Sequence, residues 1–214
     1  LYVSYNVTPG WSPGIPLRIL MAEYAKREAN GVLVDRINGS LEFVDRVIDA
    51  GAAYFQSNPQ LKQRLDQIKT QDRNYLAHEY YNADWHPMPF SQAADQLAEA
   101  KLTFAASAAI LENLPAISIP PAAHEVLQAI KDPVMRDTTR DYFVNQQFRR
   151  DIFVKGPRMM SAYDHARITE SERFILVGNP EKVPDKVTTV IGEAALREDI
   201  YEPLVKALAT FPGG

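Results

Sequence analysis

The stretch SLEFVDRVIDAGAAYFQ, residues 40–56, gives the clearest structural signal in the sequence. Its apolar residues recur at intervals of three and four positions, which places their side chains on one face of a helix. These residues are Leu41, Val44, Ile48, Ala52 and Phe55. The stretch therefore predicts a long amphipathic helix from Ser40 to about Gln56.

Similar signals on both sides extend the helical prediction over much of the chain. Apolar spacing or a capping residue predicts helices over residues 17–28, 72–81, 92–101 and 199–211, with Ser91 as the N-cap of the third. Prolines at the first turn predict helices from Pro59 and from Pro120 to about Lys131. The strongest start is Asp132-Pro133, a capping residue followed by proline, which predicts a helix to about Gln146.

Extended structure is predicted mainly at the two ends. Residues 1–6 are rich in β-branched and aromatic residues and are followed by the Pro9-Gly10 turn. Residues 102–105 read as a brief extended link. Beyond Gly156-Pro157, residues 173–177 and 187–191 predict two strands around a turn. The expected fold is mainly α (α+β): a multi-helix domain with a short N-terminal strand and a small C-terminal β-ribbon of winged-helix type.

Composition narrows the class of protein. The 214 residues are 46% hydrophobic and 23% charged with a net charge of −4, ordinary values for a globular protein. The acidic balance and the lack of a basic block argue against a nucleic-acid surface. No apolar run is long enough to span a bilayer and no basic segment begins a signal peptide, so no membrane partner is expected. The sequence contains no cysteine, which is compatible with residence in the cytoplasm.

Both ends of the sequence look cut. The chain begins inside a strand-like run at Leu1, without an initiator Met, and it stops at Pro212-Gly213-Gly214, a turn signal with nothing after it. We therefore expect the sequence to be a piece of a longer protein.

The sequence offers little catalytic chemistry of its own. No glycine-rich turn follows the first strand, although a nucleotide-type cofactor needs close approach of the backbone there. The four histidines lack the spacing of a metal site, and no nucleophile motif is present. We therefore expect no catalytic residue, cofactor site or metal site in this chain.

Two groups of side chains admit both a structural and a binding interpretation. The run Arg149-Arg150-Asp151 could bind an anion, but a charge cluster at a helix end that makes surface ion pairs is the simpler interpretation. An aromatic group could line a pocket, yet such density more often seals a junction between helices. Its members are Tyr75, Tyr80, Tyr81, Trp85 and Phe90.

Four segments together resemble a known family. YVSYNVTPGW at residues 2–11 is similar to the Y-x-S-Y-N-x-x-P-G-W stretch at the exit of a bacterial methyltransferase domain. YLAHEYY at 75–81 resembles the Y-L-x-H-E-Y-L signature of the methyltransferase regulatory domain, with Tyr81 in place of an aliphatic residue. YFVNQQFR at 142–149 and YEPLVKAL at 201–208 resemble later segments of that domain, with Gln146 and Gln147 departing from the usual Arg-x pair.

The resemblance implies an accessory domain that positions substrate for, or gates, an upstream class I methyltransferase core in the same polypeptide. It divides the chain into the tail of the catalytic sheet at 1–11, a helical regulatory domain at 12–157 and a small module at 158–214. S-adenosylmethionine would bind to the full-length enzyme, and this chain alone would not be catalytic. Similar architectures include protein-lysine methyltransferases, which would make the substrate a protein. A homodimer is a further possible partner.

The resemblance and the strand end together nominate residues for substrate contact. Ligands of open α/β sheets sit at the carboxyl ends of strands, where Tyr5 and Asn6 would lie, and an aromatic wall suits an incoming amine. The full set of candidates is Tyr5, Asn6, Trp11, His78, Glu79 and Tyr80. His78 and Glu79 are adjacent on a predicted helix and point about 100° apart, so a structural role is preferred for them.

Two other classes of function stay open. The winged segment after residue 157 would suit a stand-alone protein-interaction module. An independent hydrolase built around His78 and Glu79 is the least favoured of the three hypotheses.

Overall fold

A computed structural model describes residues 1–189 and 191–210. Eleven α-helices lie in this described part: α1 (Ile15–Arg27), α2 (Leu33–Asp49), α3 (Ala53–Ser57), α4 (Gln60–Lys69), α5 (Arg73–Glu79), α6 (Phe90–Ala98), α7 (Pro115–Ser118), α8 (Ala123–Ala129), α9 (Pro133–Phe143), α10 (Ala162–Ser171) and α11 (Glu198–Ala209). Five strands accompany them: β1 (Tyr2–Asn6), β2 (Leu102–Ser107), β3 (Phe148–Lys155), β4 (Lys186–Thr189) and β5 (Gly192–Ala195). The mainly α, α+β class is confirmed.

The chain forms two compact units with interleaved sequence. Unit 1 comprises Leu1–Ser4, Ser91–Val144 and Arg149–Gly214, and unit 2 comprises Tyr5–Phe90 and Asn145–Phe148. The functional division at residues 11 and 157 stays a prediction. None of the described helices is long and apolar enough to cross a membrane.

Unit 2 is built around the helical segment predicted from Ser40 onward. Leu41 and Val44 of α2 are buried together with Leu17 and Met21 of α1. Leu61, Leu65 and Ile68 of α4 join the same core, as their spacing predicted. Burial of this apolar face, rather than helix propensity alone, holds the helices in place.

Two glycines shape unit 2. The predicted helix over 40–56 is in fact two helices, since α2 ends at Asp49 and Gly51 has a φ of +78° that favours glycine. Gly10 donates its backbone N–H to the Gln146 carbonyl at 3.0 Å. A Cβ at Gly10 would lie 2.3 Å from that oxygen, so a side chain here would force the Gln146–Gln147 segment away.

Unit 1 contains a three-stranded sheet in the order β1-β3-β2. Strands β2 and β3 pair antiparallel from Leu102–Lys155 to Ser107–Asp151, with an irregularity between Phe104 and Ala106. The side chains of Phe104 and Phe153 meet edge to face with ring centroids 5.7 Å apart. The link expected at 102–105 is thus a full strand.

Several local predictions need correction. Residues 173–177 are not a strand in the structure, and Phe174 and Val177 are 72% and 89% exposed, so no buried face holds them in extended pairing. Ser91 lies inside α6 and not at its N-cap, because the helix begins at Phe90. In contrast, Asp132 caps α9 as predicted by accepting a hydrogen bond from the Met135 backbone N–H at 2.6 Å.

The C-terminal part of unit 1 contains a small hairpin followed by a helix. Strands β4 and β5 pair antiparallel, and α11 follows them. The strand predicted at 187–191 is therefore β4, which pairs with β5 rather than with residues 173–177. Val190 and Phe211, which fall in the predicted strand and final helix, lie outside the described residues, as do Pro212, Gly213 and Gly214.

Candidate functional site

An aromatic cluster in unit 2 brings two of the predicted substrate residues together. Trp11 is buried and meets the rings of Tyr80 and Trp85 edge to face, with centroids 5.5 Å and 5.0 Å away. The Arg64 guanidinium lies 4.3 Å from the Trp11 ring centroid, a cation–π contact. Trp11 and Tyr80 are therefore part of the core, and their role in substrate contact stays a prediction.

Tyr5 and Asn6 lie at the end of β1, where the sequence placed them. The Asn6 carbonyl accepts a hydrogen bond from the Met88 backbone N–H at 3.2 Å, and Val7 forms a parallel bridge with Met88. Both side chains are half-buried. The strand end is thus tied to the loop before α6, which fixes the direction of these side chains.

His78 and Glu79 end α5 and point apart. His78 is exposed, whereas Glu79 is half-buried and its charge raises the pKa of the Tyr75 hydroxyl, a smaller effect than burial of that ring. Neither side chain forms an ion pair with another described residue. The structure does not bring them onto one site, in agreement with the helical geometry.

The structure shows what Tyr81 does at the position where the Y-L-x-H-E-Y-L signature has an aliphatic residue. Its hydroxyl lies 2.5 Å from the Oγ atom of Ser40, which is fully buried on α2. Burial raises the pKa of Tyr81 to about 12, so the hydroxyl keeps its proton and can satisfy the serine. The aromatic residues 80 and 81 thus seal a helix junction, the simpler of the two interpretations.

Next to the aromatic cluster lies a groove of about 320 Å³ with a lining rich in primary amides, here called the amide groove. Helix α4 contributes Gln60, Gln63 and Gln67, which lie on one face, and Gln71 follows just beyond its end. The remaining lining residues are Gly10, Pro13, Leu61, Arg64, Ile68, Tyr75, Tyr80, Asn145 and Gln147.

The amide groove is chemically suited to a polypeptide backbone. Each glutamine or asparagine side chain offers a carbonyl acceptor and an N–H donor, the same pair that a peptide unit requires. Within the described part of the chain, the side-chain amides of Gln63, Gln67 and Gln147 make no hydrogen bond. Among the described residues that line the groove, Arg64 is the only charged one, so the groove favours a segment that carries a carboxylate.

A second polar cluster, in unit 1, differs from the prediction made from the sequence. Arg149 is not at a helix end but in β3, where its side chain is 3% exposed. Its guanidinium donates to Asp141 at 2.7 Å, to Asp151 at 2.8 Å and to Asp137 at 3.3 Å. The prediction of surface ion pairs is wrong for Arg149, because pairing of β3 in the sheet buries it. We call these four residues the Arg149 cluster.

The Arg149 cluster contains three carboxyl groups and one guanidinium. Burial raises the pKa of Asp141 to about 7, against the opposing attraction of Arg149. The second oxygen of Asp141 is buried without a hydrogen-bond partner in the described residues, which suits a protonated carboxyl group. One guanidinium shared among three carboxylates therefore leaves Asp141 poised to hold a proton near neutral pH.

Two features of the described residues bear on metal and cofactor binding. They contain no group of three or more His, Asp or Glu side chains placed to bind a metal. S-adenosylmethionine, implied by the family resemblance, would need backbone that approaches it closely at a glycine-rich turn. The turn after β1 instead packs Gly10 against Gln146, so these residues do not fit that group.

Comparison with known proteins finds a family match in the middle of the chain. Residues 72–155 match the family model described as a predicted methyltransferase regulatory domain. These residues belong to the methyltransferase regulatory domain family. The matched stretch runs from the N-cap of α5 to the end of β3, and it contains the YLAHEYY segment and the Arg149 cluster.

Relatives extend the similarity to the rest of the chain. An uncharacterized protein of Synechocystis is 38% identical over 212 residues, 99% of this chain and 42% of that protein. An uncharacterized protein of Rickettsia prowazekii is 26% identical over 151 residues, 69% of this chain and 26% of that protein. The chain therefore spans less than half the length of either curated relative.

Two solved structures share the fold. PKMT2 from Rickettsia typhi matches with a TM-score of 0.53 and 23% identity over 72% of this chain and 28% of that chain. The complex of PKMT2 with AdoHcy matches with a TM-score of 0.56 and 22% identity over 75% of this chain and 30% of that chain.

Proposed function

We propose that this chain is the accessory part of a SAM-dependent methyltransferase and positions a polypeptide acceptor for a catalytic domain in the same protein. The observation that carries the proposal is the regulatory-domain match at residues 72–155. The PKMT2 fold match supports it, since one of those structures contains AdoHcy, the product that methyl transfer from S-adenosylmethionine leaves behind. Residence in the cytoplasm and a homodimer stay predictions.

The amide groove is the proposed contact for the acceptor. Its primary amides can pair with the donors and acceptors of an extended main chain, and Arg64 can pair with an acidic side chain of the same segment. Tyr75 and Tyr80 add apolar walls that would shield those hydrogen bonds from water. Among the nominated residues, Tyr80 lines this groove directly, and the Trp11 ring makes a cation–π contact with Arg64.

Removing two amides should weaken acceptor binding while the chemical step continues. In the full-length protein, Gln63→Ala/Gln67→Ala is expected to raise KM for the acceptor about 30-fold with kcat little changed, because two hydrogen bonds of roughly 1 kcal/mol each are lost. The acceptor polypeptide is first identified by labelling an extract of the source organism with tritiated S-adenosylmethionine. Steady-state methyl transfer to that polypeptide is then measured for each variant.

The matched control is Gln92→Ala/Gln96→Ala, two exposed glutamines with the same spacing on α6 and outside the groove. This control should leave KM unchanged. An equal rise in KM for both double variants, or none for either, would remove the groove from the proposal. A fall in kcat at constant KM would indicate gating of the catalytic core in place of acceptor positioning.

A further inference from the structure

A second cavity, of about 310 Å³, lies entirely within unit 1. All of its lining residues fall between Phe104 and Arg149, inside the regulatory domain. Its apolar walls come from Phe104 of β2, Pro115 and Ile119 around α7, and Leu127 of α8. The volume is that of a small-molecule site, and the mixture of apolar walls with a few polar groups is typical of one.

The acidic groups around this cavity already have partners. Asp137 accepts a hydrogen bond from Arg149, whose guanidinium also contacts the cavity wall at Phe104, 5.3 Å from the ring centroid. The Glu112 carboxylate accepts a hydrogen bond from the Ser107 hydroxyl at 2.7 Å. These carboxylates are therefore engaged within the protein and are poor recognition groups for a cationic ligand.

Apart from Arg149, the basic groups at the cavity are much less engaged. Arg136 lines it from α9, and its guanidinium makes no hydrogen bond or ion pair with the described residues. Arg140, one turn later on the same face, makes one side-chain hydrogen bond within the described residues, to the Glu112 carbonyl at 3.4 Å. His124 faces the same space from α8, and its ring is likewise without a bonded partner in the described chain.

We propose that this cavity binds a small organic carboxylate with an apolar body. Guanidinium groups recognise carboxylates through paired N–H donors, and Arg136 and Arg140 offer two such groups side by side. Phe104, Ile119 and Leu127 would cover the apolar body of the ligand. This binding does not depend on the methyl-transfer role proposed above, and it would give the regulatory domain an effector site.

Three probes of one shape test the proposal by calorimetric titration into the purified protein. They are 3-phenylpropionate, the neutral 3-phenylpropanamide and the cationic 3-phenylpropylamine. We expect 3-phenylpropionate to bind with a Kd on the order of millimolar or tighter, and at least ten times more tightly than the other two. Equal binding of the amide, or tighter binding of the amine, overturns the proposal.

Substitutions of Arg136 and Arg140 test whether these two side chains bind the carboxylate probe. Arg136→Ala/Arg140→Ala is expected to weaken 3-phenylpropionate at least tenfold, while Arg136→Lys/Arg140→Lys keeps the preference for carboxylate over amide. The matched control is Lys131→Ala/Lys155→Ala, which removes two exposed charges outside the cavity and should leave the Kd unchanged. An unchanged Kd in the arginine-to-alanine variant, with its unfolding transition intact, overturns the assignment.

Discussion

Replacing Arg149 by Met is expected to lower the free energy of unfolding by about 3–5 kcal/mol at neutral pH, the usual cost of breaking a buried ion pair from one side. Asp141 and Asp151 are each 1% exposed and would lose their cationic partner. Asp141 is buried on α9 and Asp151 is buried on β3, which is paired with β2. The cost is therefore that of uncompensated buried charge rather than of one lost hydrogen bond.

Chemical unfolding in urea, followed by circular dichroism, measures this change. The matched control is Arg150→Met, the next residue of β3, whose side chain is exposed and whose loss should cost less than about 1 kcal/mol. Adding Asp151→Asn to the Arg149→Met variant should recover part of the loss by removing the carboxylate that Arg149 leaves without its cation. Equal stability of the two arginine variants would contradict the buried cluster.

Asp141 is expected to make the protein less stable as the pH rises from 5 to 8. Its pKa is raised to about 7 by burial, whereas an unfolded aspartate titrates near 4. Between these values the folded state keeps a proton that the unfolded state has released, so deprotonation on raising the pH favours unfolding. One pKa unit corresponds to about 1.4 kcal/mol, and the change over this range should be about 2–3 kcal/mol.

The Asp141→Asn variant isolates this contribution because its side chain cannot ionise. We expect its free energy of unfolding to be similar to that of the unchanged protein at pH 5 and clearly higher at pH 8. Glu125→Gln, an exposed carboxyl on α8, is the control and should follow the pH dependence of the unchanged protein. Parallel curves for Asp141→Asn and the unchanged protein would show that Asp141 is ionised throughout.

Helices with one apolar face could be predicted from the sequence, but the Arg149 cluster could not. In β3, alternate side chains Arg149, Asp151 and Phe153 are buried, while Phe148 and Ile152 are partly exposed. Neither face of the strand is uniformly apolar, so the period-two pattern that marks a strand is missing. Burial of the charges comes instead from pairing with β2, some 50 residues away, which local spacing does not encode.

Residues 173–177 show the reverse case: their apolar composition predicted a strand, but the structure has none there. A strand also needs a partner, and no described strand pairs with these residues. The amide groove was not predicted, although the sequence contains a signal for one of its walls. Gln60, Gln63 and Gln67 recur on one face of a predicted helix. Its other wall, with Asn145 and Gln147, comes from a distant segment held by the Gly10–Gln146 hydrogen bond, and only the fold brings these together.

Titration of S-adenosylmethionine into this chain and into the full-length protein, followed by calorimetry, tests the central proposal most directly. We predict that the full-length protein binds S-adenosylmethionine and that the chain alone does not, because its own residues form no glycine-rich turn for the cofactor. A cooperative unfolding transition of the chain alone serves as the control for folding. Equally tight binding by the folded chain alone would contradict its assignment as the accessory part of the enzyme.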